Sequence, residues 1–108
     1  MAHQSDANTT FTDLLANHHY LVADGAMGTT LFSLGLEGGG CPELLNVEEG
    51  DLVEKVHRRF IEAGADIVLT NTFGGNRLRL DLHELGDRVA ELNQAGVAVA
   101  RRAADLAD

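Results

Sequence analysis

Two short segments carry the residue types that could hold a small polar molecule. In the first, Asp24-Gly25-Ala26-Met27-Gly28-Thr29-Thr30, a carboxylate stands beside a glycine and ahead of two hydroxyls. Asp24 can accept hydrogen bonds from an ammonium group, and Gly25 lets the backbone come close to a ligand. Thr29 and Thr30 can bond a carboxylate at the start of a helix, where free backbone N–H groups favour anions. The second segment, Thr70-Asn71-Thr72-Phe73-Gly74-Gly75, adds short neutral polar groups. A zwitterionic amino acid suits this mixture, and so do many other small polar ligands. Each piece also has a plainer reading. Asp-Gly after an apolar run is a common turn, and Asn71 with Gly74-Gly75 reads equally as loop punctuation.

Other chemistries find no support. Gly25-Ala26-Met27-Gly28 lacks the third glycine of a dinucleotide fingerprint, and no Gly-Lys-Ser/Thr occurs, which excludes a P-loop. Cys41 is the only cysteine and the five histidines lie at no tight ligand spacing, so neither an internal disulfide nor a preformed zinc site is expected. His18, His19, His57 and His83 read as solvated side chains, His57 lying beside Arg58 and Arg59 on a charged helix face. A formal net charge of -9 argues against nucleic acid or an anionic membrane as the main partner. No apolar run approaches the roughly 18 residues that cross a bilayer. Residues 1–19 hold no Lys or Arg and no long apolar stretch, unlike a secretory signal. A soluble cytoplasmic protein is the expectation.

Both candidate segments follow short apolar runs, and that order suggests how they are positioned. Residues 1–10 are polar and expected to be loose. A short helix is expected over 12–16, then a buried strand at Tyr20-Leu21-Val22-Ala23 ending at Asp24-Gly25. Met27, Leu31 and Leu34 recur at helical spacing up to Leu36, before the breaker Gly38-Gly39-Gly40-Cys41-Pro42. Asp51 with Glu54 reads as a capping box for a helix whose stripe is Leu52, Val53, Val56 and Phe60, stopped by Gly64. Ile67-Val68-Leu69-Thr70 is the strongest strand candidate. Helices are expected over 77–85 and about 87–106, the latter packing through Val89, Leu92, Gly96, Val99 and Ala103. Short non-alternating strands between helices indicate an α/β fold, a parallel sheet covered by helices. Ligands of such sheets bind at the carboxyl ends of neighbouring strands, which would bring the two segments together.

Several motifs in order resemble the homocysteine S-methyltransferase family. They are Leu21-Val-Ala-Asp-Gly-Ala-Met-Gly-Thr-Thr30, Pro42-Glu-Leu-Leu-Asn46, Phe60-Ile-Glu-Ala-Gly-Ala-Asp-Ile-Val-Leu-Thr-Asn-Thr-Phe-Gly74, Glu91-Leu-Asn-Gln-Ala95 and Ala100-Arg-Arg-Ala-Ala-Asp105. The resemblance runs from about Phe11 to Asp108. It implies the N-terminal βα units of a (β/α)8 TIM barrel, incomplete, with residues 11–108 forming part of the homocysteine-binding domain. The activity implied is methyl transfer to the homocysteine sulfur, giving methionine. By the match, Asp24 and Gly25 would hold the homocysteine backbone, and Thr70, Asn71, Thr72 and Phe73 would line its pocket.

The same resemblance implies zinc, which binds the sulfur and favours the thiolate; a free thiol has pKa near 8.5 and is a poor nucleophile until ionised. The family's zinc ligands are cysteines on later strands, and no residue here matches them, Cys41 included. The donor implied is betaine, from the likeness of Phe11–Ala16, Leu31–Leu36 and Thr72–Gly75 to bacterial betaine-dependent members. Methyl-folate acting through cobalamin is the alternative, since animal betaine enzymes carry tyrosine where this chain has Gly74. A full barrel runs to roughly 250 residues, so on this reading the chain is a piece of the enzyme, inactive alone. A homo-oligomer is compatible with the resemblance. A non-catalytic module for a small metabolite, or an inactive remnant, is the other reading.

Overall fold

The structure, a computed structural model, describes residues 10–36 and 40–107. The expected loose N-terminus lies outside these apart from Thr10, as do Gly38 and Gly39 of the expected breaker. The helices are α1 (Phe11–Asn17), α2 (Met27–Ser33), α3 (Leu45–Glu48), α4 (Gly50–Glu62), α5 (Arg77–Asp81) and α6 (Val89–Asp105). Single 3-10 turns at Pro42–Leu44 and Gly86–Arg88 lead into α3 and α6.

Local chemistry accounts for the helix limits. Thr10 and Asp13 form a capping box: the Asp13 amide donates to Thr10 Oγ1 at 3.1 Å, and the Thr10 amide donates to the Asp13 carboxylate. The box expected at Asp51 does not form. α4 starts a residue earlier, at Gly50, without a side-chain cap, and Asp51 lies in its first turn, where a negative charge meets the positive end of the helix. Gly64, at φ 119°, ends α4 as expected: the Ala65 amide donates to Phe60 and the Gly64 amide to Ile61. Gly35 closes α2 in the same way, leaving it at Ser33 rather than Leu36. α5 also stops early, at Asp81, and Glu84 beyond it has φ 60°.

The core lies between helices. Leu31, Val53, Val56 and Val99 form one buried cluster, joining α2, α4 and α6. Cys41, Leu80 and Leu92 form another, with Leu44, Leu85 and Val89 around it. Each fully buried leucine contributes roughly 1.5–3 kcal/mol. Gly96 lets α6 approach its neighbours: a Cβ there would lie 2.8 Å from Asn46 Nδ2 and 2.9 Å from Thr72 Cγ2. No helix among the described residues is long and apolar enough to cross a membrane.

Among the described residues the expected sheet is absent, and with it the expected α/β class and the βα units of a (β/α)8 barrel. The described residues contain no strand, only one parallel bridge between Ala23 and Ile67. The Asp24 amide donates to Ile67 O at 2.9 Å, and the Ile67 amide to Val22 O at 3.1 Å. Beyond this, side chains take over the backbone donors that a longer ladder would use. The Val22 amide donates to Asp66 Oδ2 and the Leu69 amide to Asp24 Oδ1, both at 3.0 Å. Nor are the expected strands buried. Tyr20, Val22 and Leu69 are 57%, 40% and 59% exposed, so a pair of extended segments with one open side has no apolar reward for extending its pairing. The described residues form a helical assembly with one extended contact.

Candidate functional site

The Ala23–Ile67 bridge brings the two candidate segments to one place. A cleft of about 550 Å³ opens between them. Asp24, Gly25 and Thr29 line it from the first segment, and Thr70, Asn71 and Phe73 from the second. Pro42 and Glu43 form a further wall, while Arg79 and His83 also reach it. Thr72 and Thr30 do not line the cleft. Ala26, in the left-handed region at φ 56°, turns the chain from the cleft into α2.

The carboxylate of Asp24 is the central group. Its side chain is 3% exposed, Oδ1 accepts from the Leu69 amide, and Oδ2 lies 3.9 Å from His57 Nδ1. Asp24 therefore ties the two segments together while presenting negative charge at the cleft wall. Its neighbours in the second segment are more constrained than their loop position suggests. Asn71 Nδ2 donates to Pro42 O at 2.8 Å and to Asn46 Oδ1 at 3.0 Å, and Asn46 Nδ2 donates back to Asn71 O at 2.8 Å. The Thr70 and Thr72 hydroxyls share a hydrogen bond of 2.7 Å, which links Thr72 to a residue of the cleft lining. Phe73 is 94% exposed.

Gly74 and Gly75 are more than loop punctuation. The Gly74 amide donates to Glu43 Oε2 at 3.1 Å, and a Cβ on Gly74 would lie 3.0 Å from Glu43 Oε1. Asn93 Nδ2 donates to Gly75 O, and a Cβ on Gly75 would meet Asn93 Oδ1 at 2.5 Å. The buried Glu43 and the half-buried Asn93 thus shape this loop from behind. Glu43 also accepts from the Cys41 thiol at 3.5 Å.

Sequence reasoning missed two residues. His57 is not solvated: its side chain is fully buried, and neither ring nitrogen has a hydrogen-bond partner. Leaving a buried polar group unpaired costs about 1–3 kcal/mol. Burial pushes the His57 pKa below its ordinary value, against the opposing pull of Asp24. A signal was present, because His57 falls between Val56 and Phe60 and four residues after Val53, on the buried stripe itself. Glu43 is buried as well. It lies outside any periodic pattern; the motif Pro42-Glu-Leu-Leu-Asn46 contains it, but its burial against the second segment comes from tertiary packing.

The described residues do not suit zinc. No three His, Cys, Asp or Glu among them converge on a point that could hold a metal ion. Burial and the neighbouring Glu43 raise the Cys41 thiol pKa, which opposes the thiolate that zinc requires.

Residues 21–108 match the model of a family described as homocysteine S-methyltransferase. The chain is 46% identical over 104 residues to methionine synthase of Mycobacterium tuberculosis (strain ATCC 25618 / H37Rv), covering 87% of this chain and 9% of that protein. It is 43% identical over 112 residues to methionine synthase of Mycobacterium leprae (strain TN), covering 96% of this chain and 9% of that protein. The chain therefore spans about a tenth of the length of these curated relatives. The family match starts at Leu21, just ahead of Asp24, and takes in both walls of the cleft, Glu43 and the helices behind them. The chain belongs to the homocysteine S-methyltransferase family.

Proposed function

We propose that the cleft holds the amino-acid end of homocysteine, the methyl acceptor in a reaction that yields methionine in the full-length protein. The observation that carries this reading is the Asp24 carboxylate at the cleft wall, where the two segments of a homocysteine S-methyltransferase chain meet. A substrate ammonium is a natural counter-charge for it. Gly25 offers backbone at close range, Thr70, Asn71 and Phe73 supply the rest of the lining, and Thr72 orients the Thr70 hydroxyl. Residues 11–108 then form part of a homocysteine-binding domain.

The acceptor sulfur reacts as a thiolate. The described residues do not fit a zinc ion, so activation of the sulfur is assigned to none of them. For the donor, methyl-folate acting through cobalamin is preferred to betaine. Among the described residues, Phe32 and Phe73 are the phenylalanine, tyrosine or tryptophan side chains that line the cleft, too few to enclose a quaternary ammonium. The name methionine synthase, borne by both relatives, supports methionine as the product.

The test is Asp24→Ala in the full-length protein. Removing a charge-assisted contact is expected to raise the homocysteine KM about tenfold or more, with a smaller effect on kcat. Unchanged kinetics would remove Asp24 from the site and the reading with it.

A further inference from the structure

We infer that His57 is a positioning residue for substrate recognition: it backs the Asp24 carboxylate and sets its orientation when homocysteine occupies the cleft. This rests on the function proposed above and deepens it. The geometry is specific. Asp24 has one oxygen fixed by the Leu69 amide, while the other lies 3.9 Å from His57 Nδ1. That separation is too long for a hydrogen bond, and closing it requires the two side chains to approach by only about 1 Å. His57 has no competing partner, since neither nitrogen is hydrogen-bonded.

The placement of His57 on α4 supports a role beyond packing. Val53 and Val56 flank it on the buried stripe and are fully buried themselves. An aliphatic residue would serve that face at least as well, so a histidine with idle nitrogens is a local inconsistency of the kind found at functional positions. Its burial lowers its pKa and favours the neutral ring. A neutral ring can donate one N–H to Asp24 without cancelling the charge that attracts an ammonium. His57 itself does not line the cleft, so it acts through Asp24.

The experiment compares His57→Met and His57→Gln in the full-length protein, with homocysteine alone as the probe in equilibrium titrations. Methionine fills the space without a donor, whereas glutamine keeps an N–H within reach of the carboxylate. The expected result is about tenfold weaker homocysteine binding for H57M and a loss within about threefold for H57Q. In an Asp24→Ala background, H57M is expected to weaken binding no further. Parent-like binding by H57M overturns the inference, as does an equal loss with and without Asp24, or an equal loss in H57M and H57Q. A parent protein that does not bind homocysteine overturns the proposed function instead, which keeps the two failures apart.

Discussion

The packed helices α4 and α6 and the extended pair at Ala23 and Ile67 are stabilised in opposite ways. α4 and α6 satisfy their own backbone hydrogen bonds, and each needs a neighbour only for one apolar stripe. They find it in each other, with Val53, Val56, Val99 and Ala103 buried. The extended segments satisfy little by themselves. Their bridge rests on Asp24 and Asp66, whose carboxylates accept backbone amides of the opposite segment. The cleft lies where these regimes meet: its walls come from the weakly paired segments, and its shape comes from helices behind them. A site built this way is held by side-chain hydrogen bonds more than by secondary structure.

The largest break in that comparison is expected from the helical side. Leu92→Ala empties a fully buried position beside Cys41 and Leu80, and should cost about 3 kcal/mol, read as a marked drop in apparent Tm of the full-length protein. Gly96→Ala separates local preference from packing. Helix propensity alone predicts a gain of up to about 1 kcal/mol. Crowding against Asn46 and Thr72 instead predicts a loss of about 2 kcal/mol in thermal or denaturant unfolding. Weaker homocysteine binding should accompany that loss, because Asn46 holds Asn71. A stabilised variant with parent-like binding would show that the contact relaxes freely.

On the extended side the expected effects are smaller. Asp66→Ala removes the acceptor of the Val22 amide and should cost about 1 kcal/mol. Faster amide hydrogen exchange around residues 22–24, with little change in α4 and α6, would show the two regions responding separately. The smallest effect concerns acid. Burial lowers the folded-state pKa of His57, so the unfolded chain binds this proton more readily. The resulting stability is fully present above the ordinary histidine pKa of about 6.5 and is lost as pH falls from there towards the folded value. Apparent Tm measured from pH 7.5 to 5 should fall more steeply in the parent than in His57→Met; parallel curves would show that His57 is not held neutral.

Legibility in the sequence follows the same division. The stripe of α4, its stop at Gly64 and the packing face of α6 were readable, because helix periodicity and glycine termination are local. The two candidate segments were readable as residue types, and they do meet. What extended segments do was not readable. Short apolar runs such as Tyr20–Ala23 and Ile67–Thr70 look alike whether they join a sheet or touch once, since the outcome depends on partners elsewhere in the fold. His57 was misread from its arginine neighbours, although its place on the stripe pointed inward. The roles of Asn71 and Gly74-Gly75 depended on Asn46, Glu43 and Asn93, which no spacing connects to them.

By itself, the amino-acid sequence determined the stripe of α4 and its stop at Gly64, the packing face of α6, the acidic balance and the family, all of which depend on residue order over a few turns or on motifs in series. Tertiary structure alone decided that the extended segments stop at one bridge and that Asp24 is backed by a buried histidine. It also decided that buried carboxylate and amide side chains shape the second cleft segment. The physical reason is the range of the interactions: a helix closes its hydrogen bonds within four residues, while a carboxylate at position 24 meets an amide at position 69 only after the chain has folded.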